Sequence, residues 1–305
     1  MDALITAMKQ NRLGTSDIWV SEIGFGCMSL GTDENAGIDL LHTALDLGVT
    51  FFDTADLYDQ GQNEFIVGKA LKDQRDKVVI ASKVGNRWNN DGKSWHWDAS
   101  AKWIKEAIHH SLERLQIDYL DLYQLHGGTI DDPLDDVIEA FEDLKREGLI
   151  RAYGTSSIRP NVIREWLQRS QFDSNMMQYS LLDRRPEESA LDLLKDARVS
   201  VIARGPVAKG LLSNKTPRAY LDYSKEEIEN LQAALDTFVL PDRSKGQLAL
   251  RYALAHPAVS TVMPGASNLE QLRENVAASQ SLNLSEAELE QLRTLSKASV
   301  YLNHR

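Results

Sequence analysis

Eight short strand-like runs recur along this chain, at residues 23–27, 50–53, 78–82, 119–124, 151–155, 175–178, 200–204 and 260–263. Runs so short and so rich in apolar residues read as strands buried on both faces, as in a parallel sheet covered by helices. Segments of helical periodicity separate most of them. Ile104, Ile108, Leu112 and Leu115 step by 4, 4 and 3, which is one face of a helix. Val137, Phe141 and Leu144 repeat the pattern, and Gly148 is placed to end that helix in a left-handed cap. Pro160 suits the first turn of the next helix, where its missing N–H is no loss.

Eight alternating β and α units over 305 residues, with no break in composition, predict an α/β fold of the closed (β/α)8 type. This TIM barrel would be one domain spanning residues 1–305. An open dinucleotide-binding sheet would want a third glycine where Gly24 and Gly26 are followed by Ser29. Two additions to a plain barrel are expected. Residues ahead of Ile23, turning at 13–17, form an N-terminal β-hairpin at the barrel floor; residues 225–238 and 285–299 form two extra helices. The polar stretch 85–98, which carries Trp88, Trp95 and Trp97, should overhang the C-terminal mouth, where barrels of this type place their active sites. Residues 211–224 form a second long loop.

Composition narrows the function. A net charge of −11 argues against nucleic acid as a partner, since a phosphate-binding surface needs clustered Lys and Arg. Cys27 is the only cysteine, so no intrachain disulfide forms and a reducing compartment is expected. The segment MDALITAMKQ has Asp2 where a secretion signal wants positive charge, and no run approaches the ~18 apolar residues of a membrane span. A cytoplasmic protein with no membrane partner follows as the expectation.

The chemistry-bearing residues fall at the strand ends. Asp53 and Tyr58 lie in FFDTADLY, Lys83 in VVIASKVG and His126 in YLDLYQLHGG. A carbonyl that accepts a hydride develops charge on its oxygen, so a proton donor must wait there. A tyrosine hydroxyl, with an ordinary pKa of ~10, keeps its proton at neutral pH. It is a sluggish acid unless a cation stabilises the phenolate. Lys83 supplies that cation, Asp53 holds Lys83 by an ion pair, and His126 donates a hydrogen bond to the same carbonyl oxygen. Singly, Asp53 reads as a helix cap, Tyr58 as a wall residue and His126 as a core histidine. A lysine base near a barrel interior resists such a reading, because unpaired charge there is costly. The conjunction carries the inference.

On these motifs the chain resembles the aldo-keto reductases, in the bacterial branch near the general-stress and vegetative-protein reductases. The likeness runs from LGTSDIWVSEIGFGCMSLG to PGASNLEQLRENV, with FFDTADLY and the strand-end Lys and His in the family's order. It implies reduction of aldehydes or activated ketones by NADPH, with NADH an alternative. Tyr58 would be the general acid, tuned by Lys83 and Asp53, and His126 would orient the carbonyl. Tyr58, Trp88 and His126 would face the substrate, with no metal ion required.

The resemblance also implies the cofactor contacts. Gly154-Thr155-Ser156-Ser157 is similar to the family's Gly-Val-Ser-Asn, so Ser156, Ser157 and Gln178 would face the nicotinamide carboxamide, with Met28 and Asp53 beside the cofactor. The run Arg204, Gly205, Pro206, Val207, Ala208, Lys209, Gly210 resembles the segment that wraps the ring and pyrophosphate. Arg204 stands where the family usually stacks an aromatic ring. Gly265 and Gln271 stand where it typically has basic residues for the 2′-phosphate, leaving Ser267 and Gln271 to bond it and Asn275 to read the adenine. Potassium-channel β subunits share this fold and tetrad as cofactor-sensing regulatory partners, which is the rival reading.

Other chemistries fit worse. Gly154-Thr155-Ser156-Ser157-Ile158 lacks the closing glycine of a nucleophile elbow, and His109, His110 and Glu113 complete no zinc motif and read as a solvated helix face. The three tryptophans either line an aromatic substrate pocket or pack the loop. Oligomeric state leaves no mark in the sequence.

Overall fold

The computed structural model describes residues 8–89 and 91–305. Expectations about the first seven residues therefore lie outside the described chain. Strands β1 (Gln10–Arg12) and β2 (Trp19–Ser21) pair antiparallel as the expected hairpin. The barrel then begins with β3 (Phe25–Gly26), α1 (Glu34–Asp46), β4 (Phe51–Asp53), α2 (Gln62–Leu71) and β5 (Val79–Val84). A second antiparallel hairpin, β6 (Asn86–Trp88) and β7 (Trp95–Trp97), interrupts the alternation. It resumes with α3 (Ala101–Leu115), β8 (Leu120–Leu125), α4 (Leu134–Arg146), β9 (Ile150–Thr155), α5 (Pro160–Arg169), β10 (Ser174–Gln178), α6 (Ala190–Asp196) and β11 (Ser200–Arg204). The extra α7 (Lys225–Leu235) comes next, then α8 (Lys245–Leu254), β12 (Val259–Met263), α9 (Leu269–Ala277) and the extra α10 (Glu286–Leu295).

The eight barrel strands are parallel, in the order β3-β4-β5-β8-β9-β10-β11-β12. The ring closes where Ile23 bridges Val262, with Gly24 N donating to Val262 O at 2.9 Å and Val262 N to Glu22 O at 3.0 Å. Period-two alternation sets the interior. Phe51, Val79, Ala81, Leu122, Ala152, Met176, Ile202 and Met263 meet there, and Leu13, Ile18 and Val20 of the first hairpin plug the floor beneath them. Gly14 N donates to Ser200 Oγ at 2.7 Å and fixes the plug. The outer faces pack on the helices through the periodic residues: Ile104, Ile108, Leu112 and Leu115 of α3, and Val137, Phe141 and Leu144 of α4, are buried. Gly148 adopts φ +78° after α4, and Pro160 opens α5.

Two expectations needed adjusting. The stretch 85–98 is mostly a hairpin rather than a plain loop, its three-residue strands too short to show periodicity. The last helix stops at Leu295, where Ser296 turns extended at φ −125° and ψ 157° and Arg184 Nη1 donates to the Arg293 and Ser296 carbonyls at 2.8 and 3.3 Å. No described helix is long and apolar enough to cross a membrane.

Candidate active site

The inward positions of adjacent strands climb from an apolar floor to a polar mouth. On β4 the order is Phe51 then Asp53; on β5 it is Val79, Ala81, Lys83; on β8 it is Leu122, Gln124 and, one step beyond the strand, His126. Registers place Asp53 opposite Ala81 and Lys83 opposite Gln124. All four residues expected from the sequence therefore converge. Lys83 is 0% exposed, and its Nζ donates to Asp53 Oδ2 at 2.6 Å, Thr54 O at 2.7 Å and Tyr58 Oη at 3.3 Å. Those bonds use all three of its N–H groups. Burial opposes the ammonium, but the Asp53 carboxylate and the Tyr58 oxygen outweigh it and hold the Lys83 pKa above the usual lysine value.

Gln124, unrecognised from sequence, braces the acid: its Nε2 donates to Asp53 Oδ1 at 3.3 Å. The available signal was its place two residues before His126, on the same face of the strand. Thr54 and Asn63 were missed as well. Thr54 Oγ1 donates to Asn63 Oδ1 at 2.7 Å and Asn63 Nδ2 to Cys27 O at 2.8 Å, which ties the β3 and β4 loops together. Burial, then Asp53, pushes the Cys27 thiol far up.

Tyr58 is followed by Asp59, Gln60 and Gly61, all left-handed at φ 48°, 56° and 86°. Two consecutive non-glycine residues in that region store strain, which clusters at functional sites. The Tyr58 and His126 rings meet edge to face with centroids 5.9 Å apart. Burial, then Lys83 and Arg204, pull the His126 pKa down to about 3, so the imidazole is neutral at physiological pH. Its Nδ1 is buried with no partner among the described residues.

A cavity of about 500 Å³ opens beside this group, walled by Thr32, Trp88, Trp95, Gln60 and the two neighbours of Tyr58, Leu57 and Asp59. Trp88 lines this cavity, whose walls include none of Asp53, Tyr58, Lys83 and His126. Trp97 packs the loop instead: its indole N–H donates to Asp132 Oδ1 at 2.8 Å, and its ring covers Gly85 and Gly127. His109, His110 and Glu113 lie exposed on α3.

The residues assigned to the cofactor fall in two groups. Ser156, Ser157, Gln178 and Arg204 sit at the ends of β9, β10 and β11. Ser157 is buried and committed to its own loop, accepting from Arg159 N at 3.2 Å. Gln178 donates to Asp183 Oδ2 at 2.8 Å and to Tyr220 Oη at 3.0 Å, and accepts from Arg204 Nη1 at 3.2 Å. The Ser156 hydroxyl has no partner among the described residues. After Arg204, Gly205, Ala208, Lys209 and Gly210 all have positive φ, a tight turn around Pro206 and Val207.

The second group surrounds the start of α9. Ser267 N and Oγ donate to Gln271 Oε1 at 3.0 and 3.2 Å, and Asn275 Nδ2 donates to Gly265 O at 3.2 Å. Met28 is 69% exposed above them, and its neighbour Ser29 donates to Ala266 O at 3.1 Å. A Cβ on Gly265 would stand 2.6 Å from Ser29 Oγ, so this position leaves no room for a basic side chain unless Ser29 moves.

Residues 22–297 match the model of the Aldo/keto reductase family. The chain is 51% identical to the Uncharacterized oxidoreductase YqkF of Bacillus subtilis (strain 168), over 98% of this chain and 100% of that protein. It is 32% identical to the NADH-specific methylglyoxal reductase of Escherichia coli (strain K12), over 95% and 99%. Among solved structures it superposes on the holo form of aldo-keto reductase AKR11C1 from Bacillus halodurans with a TM-score of 0.93, at 53% identity over 98% and 99%. A closed (β/α)8 barrel with this family's sequence throughout defines the class: the chain belongs to the aldo/keto reductase family. Its members are oxidoreductases.

Proposed function

We propose that this chain reduces aldehydes or activated ketones to alcohols with NADPH or NADH, using Tyr58 as general acid. The observation that carries the reading is Lys83, fully buried and bonded at once to Asp53, Thr54 and the Tyr58 hydroxyl. A charge so enclosed and bonded to a phenol has a role in moving that phenol's proton.

The donor set suits a nicotinamide cofactor. The free Ser156 hydroxyl, with the second acceptor site of Gln178 Oε1, offers what a carboxamide needs, and the tight turn with positive φ at Gly205, Ala208, Lys209 and Gly210 presents backbone groups suited to a pyrophosphate. When bound, the reduced nicotinamide supplies a hydride to the carbonyl carbon. Tyr58 gives its proton to the carbonyl oxygen as charge develops there, and Lys83 steadies the phenolate left behind. Asp53, held by Gln124, keeps Lys83 charged and in place. His126, neutral, donates its N–H to the same oxygen and sets its direction.

NADPH is the cofactor of this reading, with NADH the alternative. Ser267, Gln271 and the start of α9 would meet a 2′-phosphate, with Asn275 at the adenine. No basic residue is accommodated at Gly265 as Ser29 now stands. The affinity advantage of NADPH is therefore expected to stay within about tenfold. Fluorescence titration with both cofactors, then turnover of a panel of aldehydes and ketones, tests this. Binding with turnover supports it. Binding without any turnover points to a cofactor-sensing partner protein, and no binding of either cofactor defeats both readings.

A further inference from the structure

Both protons of the Gln178 amide are committed. Nε2 donates to Asp183 Oδ2 at 2.8 Å and to Tyr220 Oη at 3.0 Å, while Oε1 takes one bond, from Arg204 Nη1 at 3.2 Å. A glutamine amide can turn over and exchange its donor and acceptor ends, and the Tyr220 hydroxyl suits either end. Asp183 does not. A carboxylate only accepts, so it holds the NH2 group on its own side; Arg204, which only donates, suits the oxygen on the other.

The local fold builds Asp183 for this post. Ser180 N donates to Asp183 O at 3.3 Å and Asp183 N to Ser180 O at 2.9 Å, a tight turn that brings the carboxyl back to the end of β10. The Asp183 side chain is fully buried, and Arg185 donates to both its oxygens, Nε to Oδ1 and Nη2 to Oδ2, at 2.7 Å each. A buried carboxylate without such a cation would be costly. Arg185 in turn lies 4.9 Å from the centre of the Tyr301 ring, near the end of the chain.

We propose that Asp183 is a positioning residue for the cofactor: it locks the Gln178 amide with its oxygen outward, so that this oxygen reads the NH2 group of the nicotinamide carboxamide. The proposal rests on the reductase reading above. Gln178 Oε1 keeps one acceptor site beyond its bond to Arg204, and the carboxamide NH2 is a donor that fills it. A reversed amide would set its own N–H groups against both the guanidinium and the carboxamide, donor against donor. Asp183 acts through Gln178 and touches no reacting atom.

The test is an affinity ratio. The 3-acetylpyridine analogues of NADP⁺ and NAD⁺ carry a methyl ketone in place of the carboxamide, so they keep its carbonyl and lack its NH2. Each cofactor and its analogue are titrated against the protein's tryptophan fluorescence. Wild type should favour the natural cofactor by roughly tenfold over its analogue. Asp183→Asn has the same shape but offers a donor as well as an acceptor, so the amide is free to turn and the ratio should fall to about twofold, with most of the loss on the natural cofactor. Tyr220→Phe leaves Asp183 in place and should keep the wild-type ratio. Asp183→Asn/Arg185→Met removes the unmatched cation as well and should show the same fall if the single variant does not fold. Equal binding of cofactor and analogue by wild type overturns the proposal, as do variants that weaken both alike or a collapse of the ratio in Tyr220→Phe. Binding of none of these compounds by wild type overturns it together with the reductase reading.

Discussion

A lysine with none of its surface exposed keeps its charge only because three oxygens surround its ammonium, and Lys83 has Asp53, Thr54 and Tyr58 to do so. His126, a few ångströms of ring contact away from Tyr58, shows the opposite solution: it stays neutral. With an ordinary pKa of 6.5 in the unfolded chain and about 3 in the folded one, its folded form resists protonation. The stability contributed by this neutral state is therefore full above about pH 6.5 and is lost as pH falls toward about 3. The loss runs at up to ~1.4 kcal/mol per pH unit. Urea denaturation across this range should show wild type losing more stability than His126→Asn as the medium is acidified. Parallel losses would mean that His126 is not held neutral. The sequence revealed these residues because each chemistry demands its own side chain at a strand end. It did not reveal Gln124, since an amide bracing a carboxylate follows no motif and only the strand register brings the two together.

At the level of elements, the eight barrel strands were legible from their apolar runs, and the caps of α4 and α5 from Gly148 and Pro160. The hairpin β6–β7 was not, because its position depends on a contact far along the chain: Trp97 reaches Asp132 and lies over Gly85. Gly85 has φ +124°, and a Cβ there would stand 2.6 Å from Trp97 Cζ3. Gly85→Ala therefore combines backbone strain with a displaced ring, for a loss of ~1–3 kcal/mol and a melting temperature lower by a few degrees. Gly148→Ala is the comparison, since φ is +78° but nothing lies within 4 Å; it should lose only about 1 kcal/mol. Equal drops in the two variants would show that the Trp97 contact does not position the hairpin.

Across the whole molecule, one end of the barrel is sealed by Leu13, Ile18 and Val20, and the other carries the polar side chains Asp53, Lys83, Gln124 and His126. This polarity follows from strands that run parallel with inward residues alternating in a fixed register, so the apolar floor positions of β4, β5 and β8 lead to chemistry-bearing ones at the mouth. Substrate choice was the least legible feature, because the cavity beside the tetrad is assembled from the β3 and β4 loops and the β6–β7 hairpin, which no local pattern connects. Tyr58 sits between two wall residues of that cavity, Leu57 and Asp59. The most direct measurement is the turnover of Tyr58→Phe on an aldehyde the wild type reduces, taken together with its cofactor affinity by fluorescence titration. The account predicts a fall in kcat of about 10²–10⁴-fold with nearly unchanged cofactor affinity. Activity close to wild type would contradict it and require another proton donor.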